Sequence, residues 1–188
     1  MKFLNKNTIQ LDRVKTELDV FAFKFCKILE KHVKYVVISG YVAILFGRAR
    51  GSEDVDIFVE ELNQTQFYAL FKELKKAGFE CISGGMKTAF ENLNENIAIR
   101  FAEKDQFIPN MEIKFARKLL DKSSLTNHLK VITPFGYIYT SNIEQQIAFK
   151  RVCLGSDKDL EDALHLENVF KGKLDKVKLN RFMRVFRQ

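Results

Sequence analysis

The sequence predicts an α/β (α+β) fold with a helical C-terminal unit, on three observations. Short runs rich in β-branched residues alternate with stretches of helical period over residues 1–140. Over residues 141–188 only the helical period continues. The composition, 46% apolar and 29% charged with two prolines in 188 residues, suits a chain that buries a core. It excludes collagen-like, mucin-like and broadly disordered architectures. At this length roughly 70% of the surface of the unfolded chain is buried on folding, so no metal or disulfide staple is needed.

The elements follow in order. Leu11, Val14, Leu18, Phe21, Phe25 and Ile28 step by three and four, which predicts an amphipathic helix over 11–28. Residues 35–38 form a short apolar run ending at Ser39-Gly40, a buried strand, and a brief helix follows over 42–46. Residues 54–59 alternate polar and apolar before turning fully apolar. That pattern is a strand whose first half reserves one face for carboxylates. A helix over 65–77 stops at Gly78. Strands are expected at 79–82, 97–102, 111–115, 130–132 and 137–139, with Gly84-Gly85 as a turn. Ser141 and Glu144 have capping-box spacing and open a helix that Gly155 ends. Ser156 caps the next helix, and an amphipathic helix over 174–186 comes last, with Leu179, Phe182 and Phe186 as its apolar stripe.

Lys and Arg number 31 against 24 Asp and Glu, a net charge of +7. Residues 171–188 hold Lys171, Lys173, Lys176, Lys178, Arg181, Arg184 and Arg187 against Asp175 alone, so nearly all of the net charge lies there. A localised basic segment suits an anionic partner such as nucleic acid or nucleotide phosphate; the alternative is a solvated helix face. Cys26, Cys81 and Cys153 are scattered, without a Cys-x-x-Cys, and fit reduced core thiols of a cytoplasmic protein. No apolar run approaches the roughly 20 residues of a membrane span, and the first residues turn polar too early for a signal peptide. No membrane partner is expected. His32, His128 and His165 lack metal-ligand spacing and read as structural.

Two segments carry chemistry. A strand running into Ser39-Gly40 at the mouth of a helix offers backbone N–H groups and close approach to a phosphate. Asp54 and Asp56 stand two apart on a strand and so point to one face. Like charges that close need a cation, and Mg²⁺ takes oxygen ligands while keeping positions for water and substrate phosphates. A phosphate cradle beside paired carboxylates is equipment for phosphoryl or nucleotidyl transfer. Tyr41, beside the cradle, either stacks on a base or lines the cleft. Lys150 is either a phosphate contact or the ion-pair partner of Asp159 or Asp162 across a helical hairpin.

Residues 36–57 resemble the signature of the nucleotidyltransferase-fold superfamily, that of DNA polymerase β and the CCA-adding enzymes. More narrowly they are similar to its minimal bacterial and archaeal branch, which includes AbiEii-type toxins. The pattern is an apolar run, Gly-Gly or Ser-Gly, a helix with Ala near its start, then Arg-x-Thr/Ser-x-Asp-apolar-Asp. Arg50, Ser52, Asp54 and Asp56 match it, with Ser39 in place of the first Gly. Ile147-Ala-Phe-Lys150 and Lys158-Asp159…Asp162 resemble the family's later helical elements, so the likeness runs over about residues 34–170.

The resemblance implies a mixed-sheet nucleotidyltransferase core over 1–140 with the C-terminal helical unit, 141–188, packed on it. It implies an Mg²⁺-dependent enzyme moving NMP from a nucleoside triphosphate to a hydroxyl acceptor, an RNA or tRNA 3′ end or a protein, with an antitoxin as a further partner. Two Mg²⁺ ions are implied at Asp54, Asp56 and a third carboxylate. The candidate for the third is Glu112, in Met111-Glu-Ile-Lys-Phe115, where the family more often has Asp. The implied nucleotide site is Ser39, Gly40, Arg50, Ser52 and Lys150. Arg100, the polar residue of the neighbouring strand, faces the same cleft or solvent. The departure at Glu112 and the small size support a second reading, a catalytically inactive nucleotide- or RNA-binding module on the same fold.

Overall fold

The computed structural model describes residues 1–187; Gln188, the last residue of the expected helical unit, lies outside the described residues. The strands are β1 (Lys2–Asn5), β2 (Thr8–Gln10), β3 (Tyr35–Ile38), β4 (Asp54–Val59), β5 (Phe79–Cys81), β6 (Ile99–Glu103), β7 (Asn110–Phe115), β8 (Leu129–Thr133) and β9 (Gly136–Thr140). The helices are α1 (Glu17–Leu29), α2 (Gly40–Leu45), α3 (Gln64–Lys76), α4 (Met86–Asn94), α5 (Leu119–Thr126), α6 (Ile143–Phe149), α7 (Asp157–Val169) and α8 (Lys176–Val185). All nine strands join one mixed sheet in the order β1-β2-β8-β9-β3-β4-β7-β6-β5. Among the described residues no helix is long and apolar enough to cross a membrane.

The centre of the sheet positions the site. β3 and β4 are antiparallel, with Ile38 opposite Asp56, and β4 and β7 are parallel, with Asp56 opposite Glu112. Side chains alternate across a strand, so Val55, Ile57 and Val59 enter the main core with Phe21, Phe25, Phe67 and Leu74 of α1 and α3. The opposite face carries Asp54, Asp56 and Phe58. There α5 covers only part of the sheet, where Leu125 packs with Val36 and Ala116 beside Ile38 and Phe58.

Several boundaries differ from the expected ones, each for a physical reason. α1 begins at Glu17, not at residue 11: Thr16 caps it, accepting from the Asp19 N–H while Asp19 accepts from the Thr16 N–H. Leu11 is buried as extended chain, its N–H donating to Ile132 at 2.8 Å, and Val14 is exposed. The cap of α6 is Asn142 rather than Ser141. Ser141 is held by Gln146, and Glu144 accepts the Asp175 N–H at 2.9 Å instead of reaching back to its own helix. β1, β2, α4 and α5 were not among the expected elements. Gly155 ends the extension of α6 in a left-handed conformation, after a π-helical turn over Lys150–Leu154. All three cysteines are free, but only Cys26 is a core thiol; Cys81 is half-buried and Cys153 exposed. The apolar stripe of α8 is half-buried, and the Phe186 ring lies 5.5 Å from that of Phe149.

Candidate functional site

Alternation on β4 puts Asp54 and Asp56 on one face, both half-buried. The Ser52 hydroxyl donates to Asp54 at 3.4 Å. Burial, then the charges of Asp54 and Glu112, push the Asp56 carboxyl up to about 6, a rise the Ser39 hydroxyl and Lys114 only partly relieve. The pair is therefore in electrostatic conflict, a condition that a cation would relieve. Ser39, one residue beyond the strand position facing Asp56, turns the chain into α2 with φ 62° and ψ −135°. A non-glycine residue with positive φ is uncommon and marks a turn held by its surroundings. Here the Ser39 N–H donates to the buried Gln146 side chain at 3.0 Å.

Glu112 lies on the neighbouring strand, level with Asp56 and on the same face. Both of its oxygens are engaged: Arg100 donates to Oε2 at 2.5 Å and Lys114 to Oε1 at 2.8 Å. Burial alone would raise its carboxyl, but Lys114 and Arg100 together outweigh burial and hold it below the usual range. Arg100 stands opposite Glu112 across the β6–β7 ladder, and Lys114 is two residues along β7. Arg100 thus meets both alternatives, lying on the Glu112 face with its side chain 50% exposed to solvent.

A second cluster lies behind the Ser39-Gly40 turn. Asp162 of α7, fully buried, accepts from Arg50 Nε at 3.0 Å and Nη2 at 2.9 Å, from Lys150 Nζ at 2.9 Å and from Arg48 Nε at 3.3 Å. Burial raises the Asp162 carboxyl, and Arg50 and Lys150 more than reverse that, holding it below the usual range. Arg50 rests against Gly40, where a Cβ would collide with its Nη2. Lys150 is fully buried and also meets Asp159 at 3.0 Å, so its ion-pair alternative is the arrangement found. Tyr41 does neither of the things expected of it: it is fully buried, and its hydroxyl donates to Asp19 at 2.7 Å.

The structure thus brings Ser39, Asp54, Asp56 and Glu112 to one region of the sheet, with Gly40 and Arg50 at the adjoining turn. It sets Lys150 behind that turn. Sequence reasoning missed Gln146 as the support of Ser39, and Arg100 and Lys114 as the joint partners of Glu112. The alternation of Glu112 and Lys114 along β7 was the one available signal. His32 pairs with Glu73, and His128 and His165 meet backbone carbonyls, consistent with structural roles.

The carboxylates fit a divalent cation in part. Asp54 and Asp56 offer adjacent oxygens with no ion-pair partner among the described residues, enough for an ion that completes its shell with water and phosphate. Glu112 does not fit as a third ligand while both its oxygens are paired. Among the described residues no group of three or more His, Cys, Asp or Glu side chains is arranged to hold a metal ion.

A mixed sheet carries the Ser-Gly turn between β3 and α2 and the paired aspartates on β4, and this fold has a solved counterpart. The crystal structure of an antigenic nucleotidyltransferase-like protein from Paracoccidioides brasiliensis is similar, with a TM-score of 0.56 over 88% of this chain and 84% of that one. The two are 14% identical, so the likeness is one of fold. No family model and no curated protein matches the chain.

Proposed function

We propose that the chain is an Mg²⁺-dependent nucleotidyltransferase that moves a nucleoside monophosphate from a nucleoside triphosphate to a hydroxyl acceptor. The observation that carries the reading is the pair Asp54 and Asp56 on one face of β4, beside the Ser39-Gly40 turn. Asp54 and Asp56 would hold the ion, which when bound supplies charge neutralisation and alignment at the phosphates. Ser39 and the backbone at Gly40 receive the phosphates, and the missing Cβ leaves room there for Arg50. Arg50 gives Nε and one Nη2 N–H to Asp162 and one Nη1 N–H to the Gly51 carbonyl, which fixes its orientation and leaves its remaining Nη N–H groups for phosphate oxygens. Ser52 orients Asp54. Lys150, buried behind Asp162, positions Arg50 through that carboxylate.

The finer reading is an AbiEii-type enzyme of the cytoplasm acting on an RNA or tRNA 3′ end, paired with an antitoxin. The resemblance of residues 36–57 supports the branch, the three free cysteines suit a reducing compartment, and the basic α8 favours RNA over a protein acceptor. The direct test is incubation with each of the four α-labelled nucleoside triphosphates, Mg²⁺ and a cell extract. One macromolecule should acquire label, and the Asp54→Asn and Asp56→Asn chains should transfer none. Failure to label anything with any of the four overturns the reading. A second reading, a binding module without catalysis, is favoured by the pairing of Glu112 with Arg100 and Lys114. In that case no label moves, and Asp54→Asn retains or gains RNA affinity because a negative charge is removed.

A further inference from the structure

We infer that this face takes one divalent cation rather than two, because Arg100 and Lys114 are built-in cations occupying the carboxylate that a second ion would need. The inference rests on the nucleotidyl-transfer reading of Asp54 and Asp56. Three carboxylates lie side by side on β4 and β7, but they are not equivalent. Glu112 gives one oxygen to each of two cations, Arg100 Nη2 and Lys114 Nζ. Asp54 has only the Ser52 hydroxyl as a hydrogen-bond partner, and Asp56 has no ion pair, among the described residues.

Charge counting points the same way. Three carboxylates against two fixed cations leave one negative charge in excess on the protein side, before any triphosphate is counted, and that excess lies at Asp54 and Asp56 rather than at Glu112. A second divalent ion at Glu112 would have to break both ion pairs and then stand beside the two displaced cations. The geometry resists this, since neither cation has to reach across the fold for its partner. Arg100 comes from the position paired with Glu112 on β6, and Lys114 from the same face of β7. The Glu112 side chain is 10% exposed, whereas those of Arg100 and Lys114 are 50% and 46% exposed. The carboxylate is thus enclosed while the cations face the open side, covering it from the direction in which an ion would arrive.

Counting bound ions tests this without measuring turnover. Mn²⁺ is titrated into the full chain with a non-hydrolysable nucleoside triphosphate analogue, and bound Mn²⁺ is counted by electron paramagnetic resonance against a nucleotide-only blank. One ion per chain is expected, lost in Asp54→Asn. The Arg100→Gln/Lys114→Gln double variant, with Glu112 released, should bind two. Glu112→Gln in the otherwise native chain should still bind one, which keeps the test decisive if the double variant fails to fold. Two ions in the native chain, one in a folded double variant, or a loss of the single ion in Glu112→Gln overturns the inference. No ion in the native chain overturns the metal-dependent function itself, a different outcome from a count of two.

Discussion

Asp56 carries a conflict that can be read out by pH. Its carboxyl is raised from 3.8 to about 6 by burial first and by Asp54 and Glu112 next, so between those values the folded chain binds more protons than the unfolded one. Stability from this group therefore falls as pH rises through the window from about 4 to about 6. A rise of about two units corresponds to about 3 kcal/mol, and solvent screening at a half-buried side chain reduces it to about 1–2 kcal/mol. Asp56→Asn should accordingly melt above the native chain at pH 7.5, and the difference should close below about pH 4. The same variant should lose cation-dependent nucleotide binding. Binding by the native chain should weaken as pH drops below about 6, because a protonated Asp56 is a poor ligand. Thermal scans across pH check the first expectation and calorimetric titration the second. The positions of Asp54 and Asp56 on one face are legible in the alternation of residues 54–59. The raised carboxyl of Asp56 is not, because it comes first from burial in the assembled sheet and only in part from its neighbours Asp54 and Glu112, the latter 56 positions away in sequence yet opposite it.

The element on which the site depends is α2, which has six residues, too few to be stable alone in water. Its start is tied to α6 through Ser39 and Gln146. Its end is tied by Arg13, whose guanidinium donates to the Leu45 carbonyl at 2.9 Å and pairs with Asp19 at 3.0 Å. Asp19, fully buried, also receives the Tyr41 hydroxyl and the Thr16 cap. Residues 11–28 read by periodicity as one helix. The chain instead stays extended until Thr16, and that break leaves Arg13 free to reach α2. Asp19→Ala strands a buried hydroxyl and unpairs a largely buried guanidinium, so it should cost about 3–5 kcal/mol. Lys34→Ala, which removes an exposed pair with Glu60, should cost less than about 1 kcal/mol. Chemical denaturation of both variants separates the two magnitudes, and a small loss for Asp19→Ala would mean that α2 is held by packing alone. Period gives the register of a helix; where it starts was decided by Thr16 and Asp19, whose spacing is a cap signal that the apolar stripe masked.

Over the whole molecule the charge is polarised. The apolar residues Leu179, Phe182 and Phe186 lie half-buried on α8, while Arg181 and Arg184 are exposed and Lys178 is half-buried at its Asp175-capped start. A helix fixed along its apolar side presents its cations in a set geometry that can track a phosphate backbone. Each phosphate neutralised contributes about 0.9 to the log–log salt slope for duplex and about 0.7 for single strands. Replacing Lys178, Arg181 and Arg184 with Gln should therefore weaken RNA binding and flatten that slope by about two units. Binding of free nucleotide should change little, since its proposed contacts lie at Ser39, Gly40, Arg50 and the carboxylates. An unaltered slope in filter-binding or anisotropy measurements would make α8 a solvated face with no part in RNA recognition.

The sequence by itself determined which side chains share a strand face, Asp54 with Asp56 and Glu112 with Lys114, because alternation is a property of the local backbone. It also determined the strand–Ser-Gly–helix turn and the helical character of the C-terminal unit, where the apolar period runs over several turns and Ser156 caps α7 as expected. It did not reveal β1 and β2, a short strand exposed along its length and a three-residue one, whose place in the sheet depends on pairing with β8 across more than a hundred residues. It left the Lys150–Asp162 pair as one of two alternatives, since a helical hairpin brings those residues together only once α6 and α7 pack. The fate of the third carboxylate was decided at the same level. Strand order is set by non-local pairing, and only the placement of β6 beside β7 brings Arg100 onto Glu112 and turns a candidate metal ligand into the counter-ion of two cations.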